Sequence, residues 1–385
     1  MTKLSRVRAS LLAAALAAVA VAPAQANKKP RNPHWKNRNA AAARPALPVS
    51  TQAAVDVSTA PAGPPVARLP AGRWLPEIKK SLEEFIAAHG RSAPGYDPKV
   101  PPAAVLAFNE VAVSNDVGLA VFQRMVDRAD FKFNDAFWHE IPLVHGRQRL
   151  FAAYGIFIEQ PVDTWSRQPS YQQYRKGFFK AYRDMCEKLG RLECRSWLVK
   201  LLRGYGEEEL ASYTRAAIGA EYLRPSGTEL VAESSEDPDP VAVRHGLAWV
   251  PEIHALISLL RDSGFDVYAA DADEQHEFEV LAAQADFEAS RVQGIRSRVV
   301  AEKLTSEIIP PVPLRGGKAN AAAALIGRPP ALVVGAGLDD KELLEYSAKG
   351  GLRLLLDRGD PGMMELAAEK HWLVQPAFQA PPRRP

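Results

Sequence analysis

The chain has 385 residues, enough for two or three average domains or for one α/β core that carries an insertion. Its formal net charge of +3 is too small to argue for a nucleic-acid partner, and much of the excess lies near the N-terminus. An apolar content of 47% is that of an ordinary globular protein, which excludes a chain disordered throughout.

Lys3, Arg6 and Arg8 precede the apolar run LLAAALAAVAVA, and Ala24-Gln25-Ala26 supplies the small residues a signal peptidase needs. Residues 1–26 therefore read as a secretory signal cleaved after Ala26, giving a secreted or periplasmic protein. The apolar run is shorter than the roughly 20 residues of a membrane span, which argues against an uncleaved anchor. No Cys follows it to carry a lipid, and no later segment has the length and apolarity of a transmembrane helix.

Residues 27–73 are rich in Ala, Pro and basic residues and poor in large apolar ones. Such a segment buries too little surface to offset its chain entropy, so it is expected to be a disordered linker. Its opening, NKKPRNPHWKNRN, has the charge to touch anionic lipid or nucleic acid, although such runs are more commonly just solvated.

Order is expected from Trp74. LPEIKKSLEEFIAAHG places Ile78, Leu82, Phe85 and Ile86 at helical spacing before a Gly stop. The strand AAVLAF follows, then the helix DVGLAVFQRMVDRA with Asp116 as its N-cap. Residues 127–245 change character: aromatics and helix formers dominate, as in WSRQPSYQQYRKGFFKAYRDMCEKLG, and no apolar strand stands out. They are expected to form a helical unit in which Tyr171, Tyr174, Phe178, Phe179 and Trp197 are core. Cys186 and Cys194 are the only cysteines, too few for a zinc shell; an exported chain favours a disulfide between them over two free thiols.

Strand and helix alternate again after residue 245. PEIHALISLLRDSG, ADEQHEFEVLAAQA, GGKANAAAALIG and DDKELLEYSAKG read as helices; FDVYAA, PALVVG and LRLLLD read as strands. The β-then-α order predicts a parallel sheet with right-handed crossovers, built from residues 74–126 and 246–385 and interrupted by 127–245. Ligands of such sheets bind at the carboxyl ends of the strands, so the corners after LAF, YAA and LVVG should converge.

At those corners the chain resembles the haloacid dehalogenase superfamily, in particular its phosphoserine-phosphatase-like and phosphorylcholine-phosphatase-like members with a helical cap. The resemblance implies an α/β, Rossmannoid, parallel-sheet core with an inserted α-helical cap. It also implies four catalytic motifs, and here they are degenerate. Where the family has D-x-D-x-T or D-x-D-x-V, this chain has A-F-N-E-V, with Ala107 for the nucleophile and Asn109 for the acid/base. Asp271 replaces the phosphate-binding hydroxyl, and GAGLDD leaves Ala336 at the principal Mg²⁺ ligand. Lys318 fits the third motif.

Ala107 has no lone pair with which to attack phosphorus, and Asn109 has no proton to give at neutral pH. The leading expectation is therefore an exported pseudophosphatase that acts as a ligand-binding or scaffold protein. Lys318, Gly317 and Asn109 would form its anion site, for a small anionic ligand or an envelope partner, and no cofactor is expected. One alternative is a rewired hydrolase with Glu110, Asp271 and Asp340 holding Mg²⁺. A second is a structural envelope protein anchored by the basic arm. Simpler roles stand beside these: helix capping for Asp116, Asp271 and Asp339, and a solvated cation for Lys318. His139 and His145 lack zinc spacing, and Pro142 lies between them; His245 and His254 read as surface or capping residues.

Overall fold

The computed structural model describes residues 68–378. The expected signal at 1–26 and residues 27–67 of the expected linker lie outside that range. Residues 68–73, read as linker, are exposed apart from Leu69, and two of them contact the core. Leu69 is buried and its N–H donates to Glu83 Oε1 at 2.8 Å, and Arg73 pairs with Glu252 Oε2 at 2.8 Å.

All four side chains of the strand Ala103–Leu106 are buried. Successive strand residues point to opposite faces, so Ala104 and Leu106 join one apolar layer and Val105 the other. A strand covered on both faces reads as an unbroken apolar run, which is why AAVL was legible. Val333 and Leu355 enter the second layer in the same way, while Leu332, Val334, Leu354 and Leu356 enter the first.

The sheet has seven strands in the order Leu373–Pro376, Leu352–Asp357, Leu332–Gly335, Ala103–Leu106, Asp266–Glu274, Val292–Val300 and Lys303–Ile309. Every neighbouring pair is parallel except the last. The mostly parallel core with an inserted cap is the architecture the motifs imply. The antiparallel edge strand departs from the all-parallel expectation. Helices Pro76–His89, Pro251–Asp262 and Gln275–Ala283 cover one face through Leu82, Leu256 and Phe278. Gly316–Ile326, Lys341–Glu345 and Pro361–Glu369 cover the other through Ala322, Leu343 and Met363.

The insertion contains helices Arg147–Phe157, Pro169–Leu189, Arg191–Lys200 and Glu207–Leu223. Tyr171, Tyr174, Phe178, Phe179 and Trp197 form its core, as expected. It is not wholly helical. Gly227–Val231 and Val241–His245 pair as an antiparallel hairpin. Cys186 and Cys194 form a disulfide, S–S 2.06 Å, that joins Pro169–Leu189 to Arg191–Lys200. The core–cap boundary drawn at 126/127 falls inside one helix, Val117–Arg128. Its Val117 and Ala120 pack with the sheet, and its Val121, Phe122, Met125 and Val126 pack with the cap. Among the described residues no helix is long and apolar enough to cross a membrane.

Candidate functional site

The three corners do meet, because Asp266–Glu274 and Leu332–Gly335 flank Ala103–Leu106 in the sheet. Ala107 follows the central strand directly. Its N–H donates to Val334 O at 3.0 Å and its methyl group is buried, so the position expected for a nucleophile is filled by core packing.

Asp271 does not begin a helix, as capping would require; it lies within its strand and binds the neighbouring turn. Its Oδ2 accepts N–H bonds from Phe108 at 2.8 Å and Asn109 at 2.6 Å, and its Oδ1 accepts from Ala272 at 2.8 Å. Burial works against its charge, but Lys318 and these backbone donors outweigh it and hold the carboxyl below its ordinary range. Glu274 is the cap of the next helix, accepting from His276 and Glu277 N–H. Asp116 does cap its helix, accepting Leu119 N–H at 2.9 Å. Asp339 makes no capping bond; it pairs with Arg191 and Arg315.

Lys318 is neither a solvated cation nor a free anion contact. It is buried, and its Nζ donates to Asp340 Oδ1 at 2.6 Å and meets Asp271 Oδ1 at 3.4 Å. Burial would discharge it, but these two carboxylates keep it protonated. Gly317 offers no N–H to a ligand, since that group bonds Leu314 O at 3.0 Å. It is glycine because a Cβ there would lie 1.8 Å from Val312 O. The Asn109 side-chain amide donates inward to Asp273 Oδ2 at 2.5 Å. The anion site expected at Lys318, Gly317 and Asn109 is therefore consumed by internal bonds.

The alternative acidic cluster fares no better. Glu110 is bonded by Arg244 Nη1 at 2.5 Å and paired with Arg358, while Asp271 and Asp340 share Lys318 and Asp340 Oδ2 accepts Ala336 N–H at 2.8 Å. Burial pushes the Glu110 carboxyl up, but the two guanidinium groups bring it below its ordinary value. Among the described residues no three His, Cys, Asp or Glu side chains are grouped to hold a metal. The Mg²⁺ that the family resemblance implies does not fit this donor set, which offers methyl groups at Ala107 and Ala336 and two carboxylates already bonded to the shared Lys318. His139 Nδ1 donates to Asp135 O at 2.6 Å, and His254 packs edge-on to Trp249 at 4.1 Å. His245 Nδ1 lies 2.9 Å from Pro225 O.

Sequence reading missed the cap's contribution. A cavity of about 380 Å³ lies between core and cap and is lined by Asp271, Lys318 and Asp340 together with five arginines. Arg195, from the cap helix Arg191–Lys200, chelates Asp116 through both terminal nitrogens and lies 3.8 Å from Asp273 Oδ1. Arg191, Arg244, Arg315 and Arg358 hold the outer acids Asp339 and Glu110. These arginines lie far apart in the chain, so no local motif marks them. Asp273 was legible: Asp271-Ala272-Asp273 at a strand end puts two carboxylates on one face.

No protein-family model matches the sequence, and no curated protein matches it. Solved structures do. A conserved, functionally unknown protein from Anaerococcus prevotii aligns with TM-score 0.69 and 20% identity, over 77% of this chain and 90% of its own. A HAD-family hydrolase from Salmonella enterica serovar Typhi aligns with TM-score 0.39 and 10% identity, over 70% and 68%. A probable phosphoserine phosphatase from Vibrio cholerae gives TM-score 0.36 and 14% identity, over 71% and 60%. The first of these shows a shared fold.

Proposed function

We propose that the described domain is a haloacid-dehalogenase-like pseudophosphatase, a binding or scaffold protein that retains the capped fold without its phosphoryl-transfer chemistry. The observation that carries this reading is the state of the central corner. A buried methyl group, Ala107, occupies the nucleophile's place, and Lys318 is held between Asp271 and Asp340. Attack on phosphorus needs a lone pair at the first position, and protonation of the leaving oxygen needs an acid at the second. Ala107 and Asn109 supply neither, and the charge that would steady a phosphoryl group is spent on internal carboxylates.

The same reading places the protein outside the cytoplasm, with residues 1–26 removed on export. The Cys186–Cys194 disulfide supports an oxidising compartment. The test is hydrolysis of p-nitrophenyl phosphate and phosphorylcholine in the presence of Mg²⁺, for which the expected rate is that of the buffer alone.

A further inference from the structure

The inner and outer parts of the cavity differ in charge. At its buried floor, Lys318 faces two carboxylates, Asp271 and Asp340, so the floor carries an excess negative charge that repels anions. At its outer part four arginines face two carboxylates. Glu110 lies between Arg244 and Arg358, and Asp339 between Arg191 and Arg315, which leaves two positive charges unneutralised. These arginine side chains are between 33% and 55% exposed, and each spends one nitrogen on its carboxylate. A guanidinium has five N–H donors, so most of its donor capacity is left for a ligand.

Two residues lining the cavity have a strained backbone: Glu110 has φ 63° and Arg315 has φ 51° with ψ −127°. Non-glycine residues are held in such conformations at a cost of about 1–3 kcal/mol, typically where a site needs a side chain aimed.

We propose that the outer arginines, Arg191, Arg244, Arg315 and Arg358, bind a small dianion, either a phosphate monoester or a dicarboxylate, while the floor around Lys318 takes no part. Two unneutralised guanidinium charges match two anionic charges, and planar oxyanions accept paired N–H bonds from arginine. The cavity volume of about 380 Å³ suits a small molecule. This rests on the pseudophosphatase reading, since a working phosphatase would hold the anion at its floor.

The test is isothermal titration of the exported chain with inorganic phosphate, succinate and acetate. Phosphate or succinate binds, and acetate binds at least about tenfold more weakly. Binding of phosphate alone assigns the ligand to the phosphate esters, and binding of succinate alone to the dicarboxylates. Arg315→Gln and Arg358→Gln each weaken the bound dianion by about tenfold, the worth of one charge-assisted bond. Glu110→Gln and Asp339→Asn strengthen it, because each releases two arginines; this gain does not depend on a variant that loses function. Absence of binding by both dianions, or affinities unmoved by the arginine substitutions, overturns the inference and leaves the pseudophosphatase reading intact. Turnover of a phosphate ester at a site insensitive to Arg315→Gln overturns both.

Discussion

Asp273 shows at the scale of one residue how the cleft is wired. Its carboxyl is pushed up to about 6, by burial first and by the neighbouring Asp271 charge, against the pull of Arg195 and the Asn109 amide. Glu277, buried beside it at Gly118, is raised in the same direction by burial and by Glu274. A carboxyl raised in the folded state stabilises the fold fully below its unfolded value, and that contribution is lost as pH rises through the folded value. The melting temperature is therefore expected to rise as pH falls from 7.5 towards 5, and Asp273→Asn should flatten that rise. A parent profile that falls over this window, or one that Asp273→Asn leaves unchanged, would contradict the account. That Ala107, Asn109 and Ala336 depart from the pattern the resemblance implies was readable from sequence because a strand end fixes where a motif residue must stand. The bonds of Asp271 and Lys318 were not, since their partners lie in other corners of the sheet.

Elements were legible in proportion to how strongly their apolar residues repeat. Pro76–His89, Ala103–Leu106 and Pro251–Asp262 lie where their patterns put them. The hairpin Val292–Val300 and Lys303–Ile309 went unread for a specific reason. Its two-residue turn, Ala301-Glu302, has φ 49° and 61°, a geometry usually signalled by Asn-Gly. The cap hairpin escaped because four of the five Gly227–Val231 residues are not buried and give no alternating apolar signal. Helices Pro169–Leu189 and Arg191–Lys200 are joined by the Cys186–Cys194 bridge. Closing so short a loop is worth about 2–3 kcal/mol through the unfolded chain. Cys186→Ser should lower the urea midpoint accordingly, and reduction of the parent should match it. Equal midpoints for oxidised and reduced protein would count against a stabilising bridge.

At the scale of the whole molecule, ion pairs across the cleft tie the cap to the core, and their depth ranks them. Arg195 is almost wholly buried against Asp116 and Asp273, whereas Arg191 and Asp339 are partly exposed. Removing one partner of a buried pair strands an uncompensated charge and costs about 3–5 kcal/mol, while an exposed pair contributes about 0–1 kcal/mol. Arg195→Met should therefore destabilise the protein several-fold more than Arg191→Met in denaturant titrations. Similar losses for both would mean that the cap is held by its apolar contacts alone.

The capped fold without its reagents is the central claim, and a single rate measurement tests it most directly. The initial rate of p-nitrophenyl phosphate hydrolysis with Mg²⁺ is measured for the unmodified chain, for Ala107→Asp, and for a variant combining Ala107→Asp, Asn109→Asp, Asp271→Ser and Ala336→Asp. Groups that work as a unit do not restore activity singly, and Asp271→Ser also releases Lys318 from one of its two carboxylates. The account predicts background rates for the first two and a measurable rate for the combined variant. Clear turnover by the unmodified chain, abolished by Asp271→Asn or Asp340→Asn, would contradict it.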